Sequence, residues 1–168
     1  MSRIFDLKKQ RLAEVVRQYS AQSPVLKLKW IDDCLDEWRC VVEFNTQTLT
    51  ILPDGEVSRA GPVQVGIRYH ERFLSEAPHP FGIATVLTPF NIYHQNCAPT
   101  GAMCMGHPQP GLSLESILHQ LWAGLTQNLN VASTVPGNVA NGRAAEYVRT
   151  NASQFPITSK GLFESPDA

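Results

Sequence analysis

Cys104 and Asn96 are the residues in this chain best suited to covalent chemistry. They stand eight positions apart in Tyr93-His94-Gln95-Asn96-Cys97-Ala98-Pro99-Thr100-Gly101-Ala102-Met103-Cys104. A cysteine thiolate can hold an acyl group as a thioester, and a carboxamide beside it can donate to the oxyanion that forms when a nucleophile attacks. No dedicated base is needed, because an ordinary thiol pKa of ~8.5 leaves a modest thiolate fraction near neutrality. Taken from the residues alone, Asn96 is more simply a turn cap, since asparagine side chains readily bond nearby backbone. Cys97, directly after it, reads as a packed thiol.

Two other chemistries share these side chains. His94, Cys97, Cys104 and His107 form a symmetric set of zinc-competent groups, although their order and spacing match no common zinc module. A cysteine hydrolase pairing Cys104 with His107 or His94 lacks an evident third group to orient the base. The remaining cysteines, Cys34 and Cys40, make no CxxC pair, and reduced thiols are the expectation.

The elements around this stretch predict an α+β domain. Phe5, Leu12, Val15, Val16 and Tyr19 recur at helical spacing between Arg3 and Tyr19, giving an amphipathic first helix with Lys8, Lys9, Arg11 and Arg17 on or near its polar side. That side is either a solvated face or a docking face for an acidic partner. Leu26, Leu28 and Trp30 then alternate with Lys27 and Lys29, the period of a half-buried strand. A second strand covers Arg39 to Phe44 with Cys40 inward. A third short one is marked by Leu49 and Ile51, and Pro53-Asp54-Gly55 turns toward a fourth at Val63, Val65, Ile67 and Tyr69. The sum is a four-stranded antiparallel meander behind a helix.

Ala84 to Tyr93, with Pro89 inside it, reads as irregular or extended, so the reactive stretch falls on a long loop. Ser113 is a good N-cap for a helix carrying Leu114, Ile117, Leu118, Leu121, Trp122 and Leu125, with Trp122 in the core. A shorter helix follows with Ala140, Ala144, Ala145, Tyr147 and Val148. The tail beyond Thr150 reads as loosely ordered.

Bulk properties narrow the function. The formal net charge is −1 over 168 residues, which gives no general reason to expect nucleic acid or an anionic membrane as partner. The N-terminus is charged where a signal peptide would be apolar, and no run approaches the ~20 apolar residues of a membrane span, so a cytoplasmic protein is expected. No cofactor is called for.

Ile92-Tyr93-His94-Gln95-Asn96, then Gly101-Ala102-Met103-Cys104-Met105, then Leu112-Ser113-Leu114 opening a helix, resembles the ubiquitin-conjugating enzymes. In that family a His-Pro-Asn tripeptide precedes the thioester cysteine by the same interval. The first helix, meander, proline-bearing loop and later helices occur here in the family's order. Ala144-x-x-Tyr147 also looks like the family's penultimate helix. The resemblance covers residues 3 to 155 and implies a catalytic domain over 1–155 with a tail at 156–168.

By that resemblance Cys104 is the thioester cysteine, Asn96 the oxyanion or loop-ordering asparagine, and His94 the loop-supporting histidine. Lys8, Lys9 and Arg11 then face an activating enzyme. The implied partners are that enzyme, a ubiquitin-like protein and an acceptor protein. A non-catalytic variant that only binds a ubiquitin-like partner is the alternative, and retention of the cysteine argues against it.

Gln95 departs from the family's proline, and Gly106 to Gly111 lacks its usual tryptophan. Asn130, Val131, Ala132, Ser133 and Thr134 stand where many members carry an acid that helps deprotonate lysine. These departures look like a divergent prokaryotic relative, a candidate for antiphage defence.

Overall fold

A computed structural model describes residues 3–126, 139–151, 153, 158 and 160–164. The architecture is α+β. Helix α1 (Arg3–Gln22) is followed by β1 (Leu26–Asp33), β2 (Glu37–Phe44), β3 (Thr48–Ile51), β4 (Val57–Ala60) and β5 (Val63–His70). A 3-10 turn (Glu71–Leu74), β6 (Ala84–Thr88), α2 (Leu114–Thr126) and α3 (Gly142–Thr150) complete it. Among the described residues no helix is long and apolar enough to cross a membrane.

The main sheet is four-stranded and antiparallel, in the order β1-β2-β5-β6. One of its four strands differs from expectation. The Leu49–Ile51 segment does not join it; β3 pairs with β4 in a separate hairpin, Thr48 opposite Ala60 and Ile51 opposite Val57. Pro53-Asp54-Gly55 does turn, but it closes this hairpin, with Gly55 at φ 89° and the Glu56 N–H donating to the Asp54 carboxylate. The fourth strand is instead Ala84–Thr88, within the segment read as irregular or extended. Its prolines flank it rather than interrupt it, and Ala84 and Val86 point into the core.

Strand β1 holds a second correction. Its pairing with β2 shifts between Leu28 and Trp30, a bulge that places one extra residue in β1. Because side chains alternate, one inserted residue exchanges the two faces. Trp30 is therefore 48% exposed, and Ile31 takes the inward position against the core.

One hydrophobic core joins the inner faces of α1, the sheet and α2. Phe5, Leu12, Val15, Val16, Cys40, Val42, Phe44, Val65, Ile67, Leu118, Leu121 and Trp122 are all buried within it. Ser113 caps α2 as its sequence suggested, its hydroxyl accepting from the Ser116 N–H at 3.1 Å. The tail is partly fastened: Leu162 is 1% exposed in the same core, a burial that stabilises by ~2 kcal/mol. The Ser23 hydroxyl donates to the Leu162 carbonyl, and the Trp122 indole N–H donates to the Lys160 carbonyl at 2.9 Å.

Lys9 does not belong to a solvated basic face. It is buried, its ammonium 2.6 Å from Asp33 and 3.4 Å from Asp6, and it donates to the Cys34 carbonyl at 3.1 Å. The adjacent Asp33 carboxylate holds the ammonium pKa above its ordinary value. Arg11 is exposed but engaged by Glu14 at 2.9 Å and Glu115 at 3.9 Å, and Lys8 lies over the Tyr69 ring.

Candidate active site

The reactive stretch is a small ribbon held on three sides. Cys97 and Met103 pair in an antiparallel bridge; the Cys104 N–H donates to the Asn96 carbonyl at 2.8 Å, and the Ala98 N–H to the Ala102 carbonyl at 2.9 Å. The turn between the arms closes with the Gly101 N–H on the Ala98 carbonyl at 2.8 Å. In this pattern Cys97 and Met103 face each other, and Asn96 and Cys104 are the next pair, ~5.5 Å apart between Cα atoms. Alternation puts Cys97 and Met103 on the inner face and Asn96 and Cys104 on the outer one. Burial agrees: Cys97 is 0% and Met103 1% exposed, whereas Asn96 and Cys104 are half-buried.

The eight-residue interval is thus the register of a tight hairpin. Its second arm lies along β6, with the Val86 N–H on the Gly101 carbonyl and the Met103 N–H on the Ala84 carbonyl, both at 2.9 Å. Gly101 sits at φ 85°, and a Cβ there would come within 2.6 Å of the Val86 carbonyl oxygen, so the close approach requires glycine.

The segment before the ribbon is fixed by the β3–β4 hairpin. The Tyr93 N–H donates to the Leu49 carbonyl at 2.7 Å and the Ile51 N–H to the Asn91 carbonyl at 3.0 Å. The Tyr93 ring meets Tyr147 of α3 edge-on at 5.8 Å, in a satellite cluster with Leu49, Val57 and Val148. Gln95 ties the same segment to α3. Its carbonyl accepts from the Ala140 and Asn141 N–H groups at 2.9 and 3.1 Å, and Asn141 caps α3 through Ala144. Neither contact was legible in the sequence, because the hairpin and α3 are distant along the chain.

His94 is fully buried, and its Nδ1 accepts from the Asn96 N–H at 3.0 Å. That bond places the ring proton on Nε2. Burial pushes the imidazole pKa down to about 4, opposed by a backbone hydrogen bond to Gly124 of α2. The imidazole is therefore neutral at physiological pH and braces the loop against α2. The Asn96 N–H goes to His94 instead of across the ribbon, so the local cap is supplied by the histidine. The Asn96 carboxamide, by contrast, makes no hydrogen bond to any described residue.

The two thiols of the loop differ sharply. Burial pushes the Cys97 thiol up to about 12, with neighbouring Cys104 adding to the shift, and Cys40 is likewise held at about 12. Cys104 is the thiol of the ribbon that meets solvent. Among the described residues no group of three or more His, Cys, Asp or Glu side chains is placed to hold a metal, so His94, Cys97, Cys104 and His107 do not converge. His94 is buried with Nδ1 occupied by the Asn96 N–H, and His107 is exposed. Asn130, Val131, Ala132, Ser133 and Thr134, where a downstream acid was sought, lie outside the described residues.

No protein-family model matches the chain, and no curated protein matches it.

Proposed function

We propose that the chain is a ubiquitin-conjugating-like acyltransferase that accepts a ubiquitin-like protein from an activating enzyme as a thioester on Cys104 and passes it on. The observation that carries this is the Asn96 carboxamide, which bonds to none of the described residues and is a cross-strand neighbour of the half-exposed Cys104 thiol. A turn-capping asparagine would spend its side chain on the backbone; here His94 does that work and Asn96 is left facing outward with the thiol. When an acceptor attacks the thioester, the carbonyl oxygen gains charge, and the Asn96 amide N–H groups are neutral donors on the same face of the ribbon.

The supporting frame is rigid in the right places. His94, Gln95 and Gly101 tie the ribbon backbone to α2, α3 and β6, which fixes the Cα positions of Asn96 and Cys104. Lys8 and Arg11 of α1, beside the exposed Ile4 and Leu7, are the side chains offered to the activating enzyme. Lys9 acts behind them as a structural tie to Asp33.

Incubation with ATP, a cognate activating enzyme and its ubiquitin-like protein is expected to give a thiol-sensitive adduct that Cys104→Ala abolishes and Cys97→Ala retains. The opposite pattern moves the site to Cys97. An adduct on neither cysteine, with binding to the ubiquitin-like protein preserved, returns the non-catalytic variant.

A further inference from the structure

We propose that the cleft between the end of β5, the 3-10 turn and residues 76–82 binds a nucleoside monophosphate. The cleft encloses about 320 Å³, the small end of ligand sites, which span ~300–1,000 Å³. None of its lining residues belongs to the reactive ribbon. The segment that walls it nevertheless holds the chain just beyond Cys104: the Met105 N–H donates to the Pro80 carbonyl at 3.0 Å, and the Gly111 N–H to the Phe73 carbonyl at 2.6 Å.

The register of β2 and β5 sets Arg39 directly opposite Arg68, and Glu37 opposite His70. Like charges so placed are destabilising unless something neutralises them. Glu37, buried beside them, is taken up by Arg39, which donates to its carboxylate through Nε and Nη2, while Arg68 stays 4.0 Å away. Arg68 is pinned instead by its Nε, which donates to the Gly82 carbonyl at 2.7 Å and leaves the terminal nitrogens for a ligand. Arg72 is exposed and makes no ion pair among the described residues. His79 adds a third donor, because its Nδ1 accepts from the Phe81 N–H at 3.2 Å and its ring proton therefore sits on Nε2. His70 is set in the same way by the Arg72 N–H at 3.1 Å, but its Nε2 is spent on Asp36 at 3.3 Å. Two guanidiniums and an imidazole N–H lining one concavity suit a phosphate, which guanidinium groups grip through paired N–H donors.

The rest of the lining fits more than a bare anion. Phe73 is half-buried and backed edge-on by the buried Tyr69 ring at 5.6 Å, so a firmly held ring borders the same space as the guanidiniums. A nucleobase stacks on such a ring. Glu76, exposed and without an ion pair among the described residues, would repel a phosphate but accepts from the hydroxyls of a ribose, as a carboxylate does where dinucleotides bind. With Glu37 taken by Arg39, Arg68 and Arg72 outweigh Glu76 by one positive charge, which suits a single phosphate.

NMR titration of the full chain with AMP, adenosine, inorganic phosphate and ribose 5-phosphate tests this. AMP is expected to bind with a Kd of ~10–100 µM, and adenosine and inorganic phosphate each at least ~tenfold more weakly. Arg72→Gln is expected to weaken AMP and ribose 5-phosphate by ~tenfold. Arg17→Gln, which removes the same charge from the exposed side of α1, is expected to leave both unchanged. Phe73→Leu is expected to weaken AMP ~tenfold and to leave ribose 5-phosphate unchanged, which separates lost stacking from lost folding. AMP that fails to saturate by ~2 mM overturns the proposal, as does adenosine or inorganic phosphate that binds as tightly as AMP. Equal losses in Arg17→Gln and Arg72→Gln overturn it as well, since the phosphate is then held by overall charge and not by this cleft.

Discussion

The Cys104 N–H donates to the Asn96 carbonyl at 2.8 Å, so the thiol and the carboxamide are cross-strand neighbours on the outer face of one ribbon. The backbone bond fixes their separation without using either side chain. Both functional groups remain available, and the partner that could have competed, Cys97, is turned inward by the same alternation.

Asn96→Ala is expected to slow discharge of the Cys104 thioester by ~10²–10³-fold, the usual loss when an oxyanion donor is removed. Because the carboxamide makes no hydrogen bond to any described residue, Tm is expected to stay within ~2 °C of the parent. Single-turnover discharge and thermal melts decide it; a large drop in Tm with unchanged discharge assigns Asn96 a structural role.

Alkylation of the native protein at pH 8 is expected to modify Cys104 first. Cys34 is slower, since the Asp32 carboxylate it bonds at 3.0 Å holds its thiol pKa above the ordinary value. Cys40 and Cys97, fully buried and pushed up to about 12, are expected to react only after unfolding. Peptide mass mapping over a time course reads the order, and early labelling of Cys97 contradicts the ribbon's facing.

His94 makes stability depend on pH in a defined direction. Its folded pKa of about 4 lies below the ordinary value of 6.5, so the unfolded chain binds the proton first as pH falls. The stability tied to its neutral form is complete above about pH 6.5 and is lost progressively toward about pH 4, a swing of about 3 kcal/mol. His94→Asn can still accept from the Asn96 N–H but cannot titrate, and is expected to flatten that part of the profile. Urea unfolding at pH 7.0 and 4.5 compares the two proteins.

Gly101 and Gly106 both have positive φ, yet they are expected to differ on substitution. Gly106→Ala meets nothing within 4 Å and should cost only the left-handed backbone penalty, ~1 kcal/mol. Gly101→Ala also drives a Cβ against the Val86 carbonyl oxygen, prising the ribbon from β6, and should cost ~3 kcal/mol or more. The same substitution should slow thioester formation, which Gly106→Ala should not. Equal midpoints in urea for the two variants refute the close approach.

Much of this was written locally in the chain. The apolar spacing of α1 and α2, the Ser113 cap and the alternation of β2 and β5 each follow from neighbours within one or two turns, so sequence periodicity sufficed to place them. The adjacency of Asn96 and Cys104 was legible for the same reason: a tight hairpin converts their fixed interval into spatial proximity.

Tertiary structure decided what periodicity cannot carry. The bulge between Leu28 and Trp30 turns an apparently inward tryptophan outward, because register is set by the partner strand. Lys9 groups with the polar side by its charge, yet it shares the helical stripe of Phe5, Leu12 and Val16, and Asp33 on β1 meets its ammonium there. Ala84–Thr88 became the fourth strand because β5 offered an edge, while Leu49–Ile51 was taken by β4 and by the backbone of the reactive segment. The sequence alone determined which side chains could do chemistry and at what interval. Only packing at long range decided which thiol is buried and that the His94 ring is enclosed, since burial comes from segments far apart in the chain.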